Sequence, residues 1–294
     1  MANLKAIRIR IGSVRSTRQI TSAMKMVSAA KLRRAQDKIV QLKPYVSKLQ
    51  EILADLTQSL GEKDVENVFA RNIEPEKILL IVITSNRGLC GAFNANVIKE
   101  TRRVITEKYP DQYNKGNVTL ITIGKKGYDY FRKLNIEMLP EKNALFNNLS
   151  FENVTIVAED IMHSFVAGKY DRIEIIYNQF KNAAVQYLTN ETFLPLSANA
   201  SDKERLQVTD YIYEPTKEEM VKELIPKLLK IQFYKAVLDS FVAEHGARMT
   251  AMHKATDNAT TMISDLTLQY NKARQAAITN QILEVVSGAE ALKG

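Results

Sequence analysis

Tryptophan is absent from this 294-residue chain and cysteine occurs once, at Cys90; glycine occurs 11 times and proline 7 times. A single cysteine excludes an intrachain disulfide and points to a reducing compartment. Scarce glycine and proline remove the usual punctuation and favour long uninterrupted elements. No apolar run reaches the roughly 18–20 residues that cross a bilayer. The opening residues lack the apolar middle and cleavage site of a signal peptide. Only three histidines occur. His245 and His253 are eight apart, not at the i, i+4 spacing of a helical zinc site, so no metal site is expected. Residues 1–44 contain no Phe, Tyr or Trp, which removes the stacking groups that single-stranded nucleic-acid binders use.

What is present is an uneven charge. The net charge is +8, yet residues 1–50 hold 12 Lys or Arg against one acid, Asp37. The other 244 residues hold 29 basic and 32 acidic side chains. A segment of charge +11 calls for an anionic partner, whether nucleic acid, lipid surface or acidic protein.

Apolar periodicity sets the outline. Leu4, Ile7, Ile11 and Val14 recur every three or four residues, and Ile39, Leu42, Val46, Leu49, Leu53, Leu56 and Leu60 continue as a heptad seam. Between them the stripe loosens through Ile20, Met24 and Val27. This predicts one long helix, kinked at Pro44 and closed by Gly61. The period then changes. Residues 78–84, 118–123, 172–180 and 184–193 read as strands, the last two as a hairpin around 181–183. Stretches 94–108, 127–134 and 151–167 read as helices. Strands alternating with helices imply an α/β layer domain at about 75–200 with a partly parallel sheet. From Leu224 a second seam runs through Leu228, Ile231, Lys235, Leu238, Val242, His245, Met249, Met252, Thr256, Ala259, Ile263, Leu266, Tyr270, Ala273, Ala277, Asn280 and Glu284. Pro226 suits its first turn and Gly288 its stop. The plan is α/β: a long antiparallel two-helix coiled coil from residues 1–60 and 215–290, with the α/β domain inserted.

Two glycine-bearing loops follow strands, 84–94 and 124–127. Neither matches the phosphate-binding patterns G-x-x-x-x-G-K-[ST] or G-x-G-x-x-G. They read as strand-to-helix turns, with anion binding at the helix start as the alternative. A Cys90–histidine nucleophile and base pair is better explained by chance, with three histidines in the chain, and no Ser/His/Asp set is visible. Three function classes therefore stand: a coiled-coil component of an assembly, a nucleic-acid-binding coiled coil and a nucleotide-dependent α/β enzyme.

Four stretches then carry a resemblance. IGSVRSTRQITSAMKMVSAAKLRRAQ at 11–36, RGLCG at 87–91, RMTAMHKATDNA at 248–259 and YNKARQAAITNQILEVVSGA at 270–289 resemble, in order, the gamma subunit of F-type rotary ATP synthases. Gln281 departs from the glutamate common there, and His253–Lys254 departs as well. The cysteine-bearing regulatory insert of the chloroplast form is absent. The resemblance implies a Rossmann-like insert on a central rotor that couples ion-driven turning of the membrane c ring to conformational change in catalytic beta subunits. It implies no catalytic residue, no cofactor and no metal in this chain. The implied partners are the alpha and beta subunits, the epsilon subunit and the c-subunit ring, not nucleic acid. The implied place is peripheral, on the cytoplasmic side of a bacterial membrane. Arg274 and Gln275 would contact a beta-subunit loop, assisted by Thr279 and Gln281. Met24 and Lys25 would face an acidic loop of beta. Tyr211 and Glu214 would contact the c ring.

Overall fold

A computed structural model describes residues 4–60, 68–70, 73–196 and 216–291. In chain order the elements are α1 (Leu4–Leu60), β1 (Ile78–Ile83), α2 (Phe93–Arg103), α3 (Pro110–Asn114), β2 (Val118–Ile123), α4 (Lys125–Phe131), β3 (Glu137–Met138), α5 (Phe151–Val166), β4 (Arg172–Phe180), β5 (Gln186–Leu194) and α6 (Lys217–Ala291). They form two compact units, residues 1–28 with 248–294, and residues 29–247.

The first unit is a pair of helices. Thr21 Oγ1 lies 2.8 Å from Thr256 Oγ1, and Arg8 Nη2 donates to the Tyr270 hydroxyl at 3.3 Å. Numbers rise on one helix as they fall on the other, so the pair is antiparallel. On α1 the inward face keeps strict heptad spacing through Leu4, Ile7, Ile11, Val14, Arg18, Thr21, Lys25 and Ser28. The seam does not loosen; its middle is polar. Ile20 and Val27, which the sequence places on the seam, are 59% and 58% exposed. Each sits two residues past a seam position, a turn of about 200° that carries it to the opposite side. The polar layer is tolerated because its hydroxyls have acceptors: Thr256 Oγ1 also reaches the Met252 carbonyl at 2.8 Å, and Thr21 Oγ1 the Arg18 carbonyl at 3.1 Å. On α6, Met252, Ala259 and Leu266 are buried and Ile263, Tyr270, Ala273 and Ala277 half-buried, as the heptad reading expects. Asn280 and Glu284 are exposed, as is every described residue after Ala277. The seam therefore ends there.

Two helix-end expectations fail. Pro226 lies well inside α6. Its missing N–H and ring clash are disfavoured, but the flanking Ile225 and Leu229 are 4% and 0% exposed and hold the turn by packing. Gly288 does not stop the helix, which runs to Ala291; Ala289, Glu290 and Ala291 are strong helix formers. Pro44 likewise lies within α1, which is one continuous helix.

The second unit is built on a five-stranded sheet in the order β3-β2-β1-β4-β5. β1 pairs parallel with β2 and β4, β2 parallel with β3, and β4 antiparallel with β5. All six residues of β1 and of β2 are buried, as continuous apolar strands covered on both faces should be. One face packs Ile78, Leu80, Val82 and Leu120 with Val97, Ile105 and Phe131. β3 is two residues long and polar at Glu137, so no apolar run announces it. α5 begins at Ser150, whose hydroxyl caps the Asn153 N–H at 3.3 Å. Within this unit α6 packs by aromatic contact: Phe233 on Phe193, Tyr234 on Phe151 and Phe241 on Phe146, with ring centroids 5.7, 5.5 and 5.9 Å apart. Lys38 of α1 donates to the Leu149 carbonyl at 3.1 Å.

Candidate functional site

In a doubly wound sheet, ligands sit outside the carboxyl ends of the strands where the chain reverses its direction of winding. Here that point lies between β1 and β4. The loop after β1 is held tightly. Ser85 N–H donates to Asn94 Oδ1 at 2.9 Å, and Ser85 Oγ to the Arg87 carbonyl at 2.7 Å. Asn94 Nδ2 reaches Cys90 Sγ at 3.2 Å, and Asn178 of β4 donates to the Phe93 carbonyl at 3.0 Å. The crevice is filled by the chain itself. Cys90 and Phe93 form a buried cluster with Ala243 of α6, flanked by Phe180 and Ala247. Gly246 approaches so closely that an added Cβ would lie 3.2 Å from Ala183 Cα and 3.4 Å from Phe180 Cε2.

The second glycine loop is closed too. An anion at the start of α4 would need unoccupied N–H groups. The Gly124 N–H donates to Asn143 Oδ1 and that of Lys125 to Asn86 Oδ1, each at 3.0 Å. The Lys126 N–H takes the Ser85 carbonyl at 3.1 Å, and that of Gly127 takes Thr84 Oγ1 at 2.9 Å. Side-chain and backbone oxygens already occupy the seat. Among the described residues no group of three or more His, Cys, Asp or Glu could hold a metal. His253 Nδ1 lies 3.3 Å from Asp257 on the same helix.

Beside the crevice lie Asp239 of α6, which is buried, and Glu191 of β5, which is half-buried. Burial lifts the Asp239 carboxyl from 3.8 to about 6, with Lys235 opposing. Burial also raises Glu191 of β5, and the negative charge of Asp239 adds to that while Lys235 opposes. The Tyr177 hydroxyl is raised chiefly by burial, then by the charges of Glu191 and Asp239. A folded-state acid raised above its unfolded value destabilises the fold above its folded pKa, and the penalty disappears as pH falls from about 6 toward 3.8. The penalty for Asp239 at pH 8 is about 3 kcal/mol. Asp239→Asn is thus expected to raise the urea midpoint of the chain at pH 8. The gain should shrink between pH 6 and 4. A variant no more stable than the parent at pH 8 would remove this assignment.

The other candidates lie in the helical unit. Arg274, Gln275, Thr279 and Gln281 are exposed, and Thr279 Oγ1 turns back to the Gln275 carbonyl at 3.0 Å. Met24 and Lys25 are half-buried. Tyr211 and Glu214 lie outside the described residues. Sequence reading missed one feature. Ile278, Ile282, Leu283, Val285 and Val286 are 48–72% exposed, an apolar surface on the last turns of α6. Its signal was available: past Ala277 these residues no longer fall on the 4-3 seam, so they cannot serve it.

Comparison with known proteins decides the family. The ATP synthase family model matches residues 3–292. The ATP synthase gamma chain of Flavobacterium psychrophilum is 56% identical over 294 residues, covering all of both chains. That of Geobacter sp. strain M21 is 45% identical at the same coverage. This chain belongs to the ATP synthase gamma family. The fold agrees. A chain of the Euglena gracilis mitochondrial ATP synthase (OSCP/F1/c-ring) superposes with TM-score 0.68 at 22% identity, over 98% of this chain and 94% of that one. A chain of the Tetrahymena thermophila central stalk/c-ring structure gives 0.57 at 24%, over 80% and 99%. No helix among the described residues is long and apolar enough to cross a membrane. As a member of the gamma family it is a component of ATP synthase.

Proposed function

We propose that this chain turns inside a ring of alternating alpha and beta subunits and carries no catalytic group of its own. On this reading residues 1–60 and 215–290 form the shaft and 75–200 the globular insert, which meets the epsilon subunit and the c ring. Tyr211 and Glu214 contact that ring. The complex holds the chain at the cytoplasmic face of a bacterial membrane.

The observation that carries the reading is the end of α6. An exposed helical segment with Ile278, Ile282, Leu283, Val285 and Val286 open to solvent needs an apolar surround, because patches of this kind mark interaction sites. Next to it Arg274 and Gln275 offer directional polar contacts, with Thr279 and Gln281 one turn on. The basic face of α1 meets acidic beta-subunit surface, with Met24 and Lys25, half-buried at the margin of the seam, at its edge. The shaft is asymmetric and presents each catalytic site with a different face. Each site is biased toward a different conformation by differential contact alone. The filled crevice and closed anion seat favour this over a nucleotide-dependent enzyme.

Mixing the chain with purified alpha and beta subunits tests the reading. Co-assembly with multi-site ATP hydrolysis that appears only when the chain is present supports it. A chain that ignores alpha and beta and binds polynucleotide with steep salt dependence contradicts it. Within the assembled complex, Arg274→Ala is expected to lower hydrolysis roughly tenfold, the loss of about 1.4 kcal/mol from a charge-assisted hydrogen bond. Retained assembly with unchanged turnover would remove Arg274 from the contact.

A further inference from the structure

The crevice that other doubly wound sheets reserve for a ligand is packed solid by a helix of the same chain, and this has a mechanical consequence. Gly246 lies against the β4–β5 turn, with backbone rather than flexible side chain as its nearest neighbour: Ala183 Cα at 3.2 Å and its carbonyl oxygen at 3.4 Å from the position of an added Cβ. One turn earlier Ala243, fully buried, meets Cys90 and Phe93. Small residues bring the helix axis close to the sheet, and backbone-to-backbone contact cannot yield by rotamer change. Packed interiors of this kind transmit strain instead of absorbing it.

The place of the contact matters as much as its tightness. The aromatic contacts of α6 fall at 233, 234 and 241, and Gly246 follows them, one residue before the sheet unit ends at Ala247. α6 continues unbroken to Ala291. Torque passed between α6 and its own sheet must go through the contacts the two make. Loosening the backbone contact among them lets the helix turn against the sheet.

We propose that the contact of Gly246 with Phe180 and Ala183, backed by Ala243 on Cys90 and Phe93, is the joint through which the sheet unit drives α6, with Gly246 as its positioning residue. The inference rests on the rotor reading. It adds where torque enters the helix.

The experiment uses the complex assembled with alpha and beta subunits, the head fixed to a surface. A probe is attached through Val185→Cys, an exposed position beside the turn, and its angular spread is recorded with catalysis arrested. Gly246→Val is expected to widen the angular variance at least twofold, and Gly246→Ala less, since a single methyl displaces the turn by only a few tenths of an ångström. The control is Ile225→Ala, which opens a cavity in the same unit and lowers stability without touching the joint; it should leave the variance unchanged. Amide exchange of residues 181–185 in the unassembled chain needs no assembly and should be about tenfold faster in Gly246→Ala and unaltered in Ile225→Ala. Equal variance in parent and Gly246→Val, equal broadening in the control, or unchanged exchange would each overturn the joint while leaving the rotor reading intact. Failure of the parent chain itself to assemble would overturn the rotor reading and the joint with it.

Discussion

Gly124→Ala is expected to cost the second unit more than 3 kcal/mol and to leave little folded protein. Gly124 sits at φ +113°, a region that residues with a Cβ scarcely enter. The added carbon would lie 2.1 Å from the Thr84 carbonyl oxygen and 2.5 Å from its carbon. Thr84 cannot withdraw. Its N–H donates to the Ile123 carbonyl at 2.8 Å, and its hydroxyl both donates to the Gly124 carbonyl and accepts from the Gly127 N–H. Backbone strain and overpacking then combine at one site, against a total stability of only about 5–15 kcal/mol. Gly91 provides the contrast. Its φ is +61°, but nothing lies within 4 Å of an added Cβ, so Gly91→Ala should cost about 1 kcal/mol. Soluble yield and urea midpoints of the two variants check the pair. Equal losses would mean that φ alone, not the clash with Thr84, sets the penalty.

Glu174→Ala is the second large effect, expected at about 3–5 kcal/mol. Glu174 sits in the middle of β4 and is fully buried. Lys108 Nζ and the Tyr109 hydroxyl both donate to its Oε1 at 2.5 Å, and Asn190 Nδ2 donates to Oε2 at 3.0 Å. One carboxylate thus joins the helical turn before α3 to β4 and to the edge strand β5. Alanine would leave three donors facing a cavity, one of them the hydroxyl of Tyr109, which is only 3% exposed. Glu174→Gln keeps an acceptor and the volume, so its loss should be markedly smaller. Denaturant unfolding of the two variants distinguishes them; equal small losses would mean that the network adds little to the fold.

The two long helices and four of the strands could be read from the sequence because their periods are long and repeated. The seam from Met252 to Ala277 is set by a partner helix of the same period, so local pattern and tertiary contact agree. They part at Ile20 and Val27, where apolar character suggested the seam and spacing took Arg18, Thr21, Lys25 and Ser28 instead. Spacing prevails because a helix cannot change face without a break, and none occurs. Lys235 fails for a different reason: the first half of α6 packs on a sheet, whose contact band does not follow a heptad. β3 was invisible because a two-residue edge strand at Glu137 and Met138 carries no pattern. The closed crevice was invisible as well, since it depends on Gly246 meeting Ala183 across the fold. The glycine loops gave the right doubt, but the reason for it, four N–H groups already paired, is a fact of three dimensions.

The positions proposed for contact with beta, Arg274, Gln275, Thr279 and Gln281, rest on resemblance in motif, and their exposure leaves them available for it. The exposed apolar turns beside them follow from no motif. They are the more physical argument, because solvent-exposed Ile282, Leu283 and Val285 are hard to account for in a helix that has no surround.

The most direct measurement is rotation itself. A bead or rod attached to the sheet unit of this chain, in a complex whose alpha and beta subunits are fixed to a surface, should turn in one direction when ATP is added, with dwells in threes at low ATP. Steady hydrolysis with a motionless probe would contradict the central claim that this chain is the shaft through which the catalytic sites are coupled.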